Sequence, residues 1–204
     1  MDWRERYEQA VARYAAGEGR ENDERQLVQL GNAAWATGLC LLMAGDDAGA
    51  KEWLVRAAAR YRESWDAGAP PDAWGRPIAA MKALLIADNV QPCNRLLLAA
   101  RWTLDIGAAK AESPIGRYAG TLALLVLGRN DEAAAVAATL GGPFPEDVAA
   151  ALRALAVGDG DAFEAAVADV RKSYENRDGY LEDIPVPDTA LALEALSRIA
   201  RVGP

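Results

Sequence analysis

The chain has 204 residues, enough for one large domain or a short array of structural repeats. Its wealth of alanine and leucine favours helices, and only two phenylalanines are present, which gives little support to a β-rich fold. The formal net charge of −8 disfavours nucleic acid and membrane surfaces as partners because both are polyanionic. The same charge is compatible with a basic protein partner, or it serves solubility alone.

Three further features concern the cellular compartment. Residues 1–6 lack the charged and then apolar pattern of a signal peptide. The longest apolar runs, residues 33–44 and 119–127, are shorter than a membrane span and are typical of buried core helices. Cys40 and Cys93 are expected to be free thiols in different helices. These features together predict a cytoplasmic protein.

Apolar periodicity and helix breakers predict about ten helices. Asn22 or Asp23, Ser113, Asp161 and Asp188 are the expected N-caps, and prolines 77 and 92 fit the first turns of two helices. The polar stretch from Asn176 to Pro187 is expected to be a solvated connector. The predicted ranges are 2–16, 23–44, 48–65, 76–86, 91–106, 114–127, 131–140, 145–157, 162–175 and 189–202.

Two glycines lie in the middle of the second predicted helix. Gly31 and Gly38 each cost up to about 1 kcal/mol relative to alanine at such positions. A cost of this kind is tolerated where a neighbouring helix passes close to the bare backbone. We therefore expect a helix to pack directly against both glycines.

Four similar turns begin at residues 45, 87, 128 and 158, and each precedes a predicted helix. Repetition at this spacing is typical of stacked helical hairpins. The first and third hairpins resemble the tetratricopeptide repeat in the positions of their small and large packing residues. These residues are Gly38, Leu41, Gly45, Ala50, Leu54 and Ala57 in the first hairpin, and Leu124, Gly128 and Ala133 in the third.

The C-terminal part, roughly from Ala150 to Gly203, resembles a second family. The runs Leu155–Ala166 and Ile184–Leu196 are similar to segments of the immunity protein 49 family. Members of that family are α-helical bacterial proteins proposed to neutralise a cognate toxin by binding it. The resemblance implies a helical fold and a toxin as the partner.

The chain contains no histidine. The commonest general base and metal ligand is therefore missing, together with every catalytic triad that requires an imidazole. Phosphate-binding loops, dinucleotide fingerprints and the nucleophile elbow are also absent from the sequence. We expect no cofactor, no metal and no catalytic residue.

Close carboxylate pairs are the remaining route to an enzyme. Asp46 with Asp47, Asp159 with Asp161, and Glu182 with Asp183 could supply an acid and a base, as in glycoside hydrolysis. The first two pairs lie in the repeated turns, where an aspartate caps the next helix. The capping role is therefore favoured over catalysis.

Aromatic and arginine residues give the candidate binding site. Trp65 and Trp74 flank a proline-rich loop that Arg76 follows, and two Arg–aromatic pairs lie on predicted helices. Tryptophan, tyrosine and arginine are the residues that most often anchor protein interfaces. Their alternative role is aromatic packing under arginine stems. The candidate partner-binding residues are Trp65, Trp74, Arg76, Arg101, Trp102, Arg117 and Tyr118.

Together these features predict one helical-repeat domain over residues 1–204, an irregular right-handed stack of antiparallel hairpins. The predicted function is non-catalytic protein binding, with an immunity-type protein that occludes a basic toxin as its specific form. Binding is expected on the concave face and the loop from Trp65 to Arg76. A carboxylate-dependent enzyme and a housekeeping helical scaffold are the alternatives.

Overall fold

The computed structural model describes residues 2–20, 23–88 and 93–202. These residues form ten α-helices and two 3-10 turns, with no strand among them, which confirms the predicted all-α fold of helical hairpins. None of the described helices is long and apolar enough to cross a membrane. The helices are α1 Trp3–Gly17, α2 Glu24–Met43, α3 Asp47–Asp66, α4 Gly75–Ala87, α5 Asn94–Asp105, α6 Pro114–Val126, α7 Asn130–Ala137, α8 Glu146–Val157, α9 Gly160–Glu175 and α10 Asp188–Val202.

Aspartates begin several of these helices. Asp23 caps α2, where its carboxylate accepts hydrogen bonds from the backbone N–H groups of Arg25 and Gln26. The prediction of Asp161 as the cap of α9 is wrong, because Asp159 accepts from the N–H of Ala162 at 3.0 Å. Asp161 lies within the first turn instead, where its charge still favours the helix N-terminus.

Some predictions lie outside the described residues. Asn22, the alternative cap of α2, is one of them, and so is the proposed helix start at Gln91 and Pro92. Most of the second repeated turn, residues 89–92, is also outside. The helix predicted there is described from Asn94 onward.

The described residues form two compact units. Unit 1 contains α1 to α4 together with residues Asp178–Val186, which we call the strap. Unit 2 contains α5 to α10. The strap therefore belongs by its contacts to helices that lie more than 90 residues earlier in the chain.

Helix α2 is the centre of unit 1 and packs against α1 and α3. A Cβ atom at Gly38 would lie 2.7 Å from Cγ of Leu54, and one at Gly31 would lie 2.8 Å from the ring of Tyr61. Both distances are shorter than van der Waals contact, so α3 passes close to the bare backbone of α2. This contact confirms the role predicted for the two glycines.

Helix α6 is the centre of unit 2 and packs against α5, α7, α8 and α10. A 3-10 turn at Ala108–Lys110 lies directly on it. A Cβ atom at Gly120 would lie 2.4 Å from Cα of Ala109 and 2.5 Å from its backbone nitrogen. The close packing of this turn on α6 therefore requires glycine at position 120.

Both cysteines are free, as predicted. Cys40 is fully buried in α2, and Cys93 is half-buried before α5. Burial raises the pKa of both thiols, and the nearby Asp88 carboxylate raises that of Cys93 further.

A raised pKa leaves less of the reactive thiolate at a given pH. At pH 8 we expect an aromatic disulfide reagent to modify Cys93 several-fold more slowly than an unfolded thiol, and Cys40 only on unfolding. Absorbance at 412 nm, with and without urea, measures both rates. Rapid modification of two thiols in the folded protein would contradict this expectation.

Candidate functional site

The candidate residues Trp65, Trp74 and Arg76 of unit 1 contact other residues within that unit. Trp65 and Trp74 lie with their ring centroids 6.1 Å apart, and Trp74 is 9% exposed. The guanidinium of Arg76 donates from Nε to Oγ of Ser64 at 2.7 Å and pairs with the carboxylate of Glu24. Arg76 therefore ties the start of α4 to the start of α2.

The predicted residues of unit 2 alternate between surface and core. Arg101 is exposed, whereas the adjacent Trp102 is 7% exposed. Arg117 donates from Nη1 to the backbone oxygens of Ala111 and Glu112. Tyr118 is 8% exposed against Phe144, and burial raises the pKa of its phenol.

In both Arg–aromatic pairs the aromatic ring is buried and the arginine is the more exposed of the two. Three of the candidate partner-binding residues, Trp74, Trp102 and Tyr118, are therefore core residues of their units. Of the seven candidate residues, three belong to unit 1 and four belong to unit 2. Partner binding by these seven residues stays a prediction.

The strap differs from the solvated connector that the sequence predicts. Glu182 forms an ion pair with Arg13 of α1 at 3.0 Å, and its side chain is only 21% exposed. Arg6, also in α1, donates to the backbone oxygen of Asp183. Ile184 and Val186 are each 1% exposed. The strap is therefore held on unit 1 by two arginines and two buried aliphatic side chains.

The strap backbone is strained at two consecutive residues. Glu182 has φ 55° and Asp183 has φ 57°, and no other described non-glycine residue has a positive φ. Such conformations cost of the order of 1–3 kcal/mol each and persist only where surrounding contacts enforce them. Here the contacts are those of Arg6 and Arg13, and strain of this kind is concentrated at functional sites in proteins.

An acidic cleft of about 840 Å³ lies between α1 and the strap. Among its described lining residues, four carry carboxylates and one, Arg6, carries a positive charge. The guanidinium of Arg6 is already engaged by the strap backbone. The cleft is therefore strongly negative. Its carboxylates belong to Asp2, Glu5, Asp178 and Asp183.

An apolar groove of about 290 Å³ borders the strap as well. Helix α2 contributes Val28 and α4 contributes Ala79 to its walls, and Tyr61 of α3 is part of its lining. Leu181 of the strap lies at this groove with 51% of its surface exposed. Arg76 lines the same groove, so one candidate residue from the sequence lies beside the strap.

A third cavity, of about 590 Å³, lies between α1, α2 and the strap. Arg13, Arg20 and Glu182 supply its charged groups, and Gln26 and Gln29 supply amides. Leu30 forms part of an apolar wall. The cleft, the groove and this cavity each include strap residues, which makes the strap the candidate functional element.

The sequence contains no signal for the strap because the contacts of this segment are non-local. It also did not single out a cluster of aromatic and arginine residues between α1 and α3. Trp53 lies 5.1 Å edge-on from Tyr14, and the guanidinium of Arg56 lies 4.4 Å above the Trp53 ring. The i, i+3 spacing of Trp53 and Arg56 on one helix was the signal for this stacking.

Two carboxylates of the repeated turns cap the helices that follow them, whereas the helix after the third turn has no side-chain cap. Asp46 accepts from the N–H of Gly49 at 2.9 Å, and Asp159 does the same for Ala162. Within the described residues, no three Asp, Glu, Cys or His side chains are grouped to hold a metal ion. The capping role predicted for these turns is confirmed at Asp46 and Asp159.

Comparisons with known proteins identify no relative. No protein-family model matches the chain, and no curated protein or solved structure matches it either.

Proposed function

We propose that this protein is a non-catalytic protein-binding module that captures a basic segment of a partner at the strap. The observation that supports the proposal is the acidic cleft, where four carboxylates face a volume of about 840 Å³ beside a strained backbone segment. A basic side chain of the partner would meet complementary negative charge there.

Electrostatics favour recognition at this cleft. The chain carries 30 acidic and 22 basic residues, so its overall field attracts a basic partner during diffusion. Asp178 and Asp183 lie on the strap, whereas Asp2 and Glu5 belong to the start of α1. Complementary charge of this kind sets the rate and the specificity of association more than its final affinity.

Apolar contact supplies the other part of the binding energy. Leu181 is half exposed beside the groove of α2 and α4, only three residues from Asp178. A partner segment with a basic residue next to an apolar one would engage the cleft and the groove together. Arg76 and the end of the proline-rich loop line this groove as well.

An immunity-type protein is the specific form of this proposal. Such a protein binds its toxin in the cytoplasm and covers the toxic surface, which requires no chemistry of its own. The family resemblance in residues 155–166 and 184–196 supports this form, and the second of these runs includes the end of the strap. A toxin with a basic surface is the expected partner.

Photo-cross-linking tests the proposal in cells of the natural host. A photoreactive amino acid replaces Leu181, and the products are identified by mass spectrometry. We expect one basic protein to be captured, and the same substitution at Val157, which is 69% exposed in unit 2, to capture none of it. If the captured protein arrests growth when expressed alone, co-expression of this chain is expected to restore growth.

Two outcomes would contradict the proposal. Capture of the same proteins from both positions would show that the strap is not a specific site. Turnover of a glycoside by the purified chain, lost on Asp178→Asn or Asp183→Asn, would make the carboxylates catalytic and favour the enzyme alternative.

A further inference from the structure

The cavity between α1, α2 and the strap has the composition of a small-molecule site. Its volume of about 590 Å³ lies within the range of ligand pockets, roughly 300–1,000 Å³. Arg13 and Arg20 supply positive charge, and Gln26 and Gln29 supply amides. Its apolar wall includes Leu30, which is 3% exposed. A ligand with one negative group and a short apolar body fits these groups.

The structure already contains a carboxylate at this site. Glu182 pairs with Arg13 at 3.0 Å and lines the same cavity. Arg13 keeps 45% of its side chain exposed, so its guanidinium has further donors for a second acceptor. Arg20 is exposed and forms no ion pair with any described residue. The two cations therefore outnumber the one resident carboxylate.

We propose that this cavity binds small amphipathic carboxylates and that Glu182 is their internal competitor. The ligand carboxylate is held by Arg13 and Arg20, and the apolar body lies against Leu30. Arginine suits this role because its planar guanidinium binds a carboxylate through two parallel hydrogen bonds. This site involves no partner protein, so its test does not depend on the function proposed above.

Ligand binding also acts on the strap. A carboxylate that takes Arg13 from Glu182 removes one of the contacts that hold Glu182 at φ 55°. The residue is then free to return to an ordinary backbone conformation, which is favourable. We expect the strap backbone around Asp183 and Ile184 to exchange its amide hydrogens faster when the site is filled.

Hexanoate is a suitable probe because it combines one carboxylate with a short apolar chain. Titration is followed by NMR through the Nε–Hε signals of the arginines and the side-chain amides of the glutamines. Hexanamide, which has the same shape without the charge, is the ligand control. We expect saturable shifts at Arg13 and Gln29 with hexanoate and none with hexanamide.

Variants separate this role from a merely structural one. Glu182→Gln removes the competitor, so hexanoate is expected to bind about two- to fivefold more tightly, as for the loss of a partly exposed ion pair. Arg13→Gln is expected to weaken binding at least about fivefold. Arg4→Gln, which removes an exposed cation from the same helix outside the cavity, is the matched control.

The outcomes decide the proposal without reference to any protein partner. Tighter binding by Glu182→Gln together with weaker binding by Arg13→Gln supports it. Equal binding of hexanoate and hexanamide, unchanged affinity in Glu182→Gln, or an equal loss in Arg4→Gln would overturn it.

Discussion

Replacement of Gly120 by alanine is expected to lower the free energy of unfolding by about 3 kcal/mol, near the upper end for overpacked sites. The added Cβ would lie 2.4 Å from Cα of Ala109, which belongs to the backbone of the 3-10 turn. Backbone atoms cannot move aside as a flexible side chain can, so the turn itself must shift. Urea denaturation followed by far-ultraviolet circular dichroism measures the change.

Gly160→Ala is the matched control for this substitution. Gly160 is the first residue of α9, also in unit 2, and nothing lies within 4 Å of a Cβ atom added there. Alanine is the better helix former, so we expect a change within about 0.5 kcal/mol or a small gain. Similar losses in the free energy of unfolding for both variants would mean that the close packing of the turn on α6 is not required for stability.

Replacement of Ile184 by alanine is expected to release the strap. Ile184 is 1% exposed, and truncation of a buried isoleucine costs about 2–5 kcal/mol. A cost of about 3 kcal/mol corresponds to more than a hundredfold faster exchange of the strap amides if the strap opens locally. Hydrogen exchange measured by NMR reports Asp183 and Ile184, whose N–H groups donate to the backbone oxygens of Tyr180 and Leu181.

Leu181→Ala provides the control within the same segment. Its side chain is 51% exposed, so we expect less than about 1 kcal/mol of destabilisation. If Ile184→Ala leaves strap exchange at the level of Leu181→Ala, then burial of Ile184 does not hold the strap.

The local part of the fold was predictable from the sequence. Helical periodicity and capping aspartates depend on residues that are neighbours in the chain, so Asp23, Asp46 and Ser113 were recognisable as helix starts. The close packing of α2 on α3 was also predictable. Glycine in the middle of a helix is costly, and Gly38 therefore implied a neighbour close to its backbone.

The strap was not predictable because its contacts join distant parts of the chain. Arg13 and Glu182 are 169 residues apart, and neither residue belongs to a motif that would link them. A stretch such as residues 176–187 is polar in composition whether it is solvated or held by arginines. Only the three-dimensional structure shows that Ile184 and Val186 are buried and that Glu182 is paired.

The candidate binding residues show a related limit. Tryptophan and arginine are common both at interfaces and in cores, so Trp74 and Trp102 could be chosen by residue type but not by exposure. Burial separates the two cases. The exposed Leu181 and the carboxylates of the cleft lie in a segment that composition alone describes as a connector.

The affinity of the cross-linked partner for cleft variants tests the central claim most directly. Isothermal titration compares the wild-type chain with Asp178→Asn/Asp183→Asn and with Asp161→Asn/Glu164→Gln, which removes two exposed charges from α9 instead. Loss of the two strap carboxylates is expected to weaken binding about tenfold or more at low salt, and the α9 variant is expected to stay within about twofold. Equal losses in both variants, or no loss in the strap variant, would contradict capture of a basic partner at the strap.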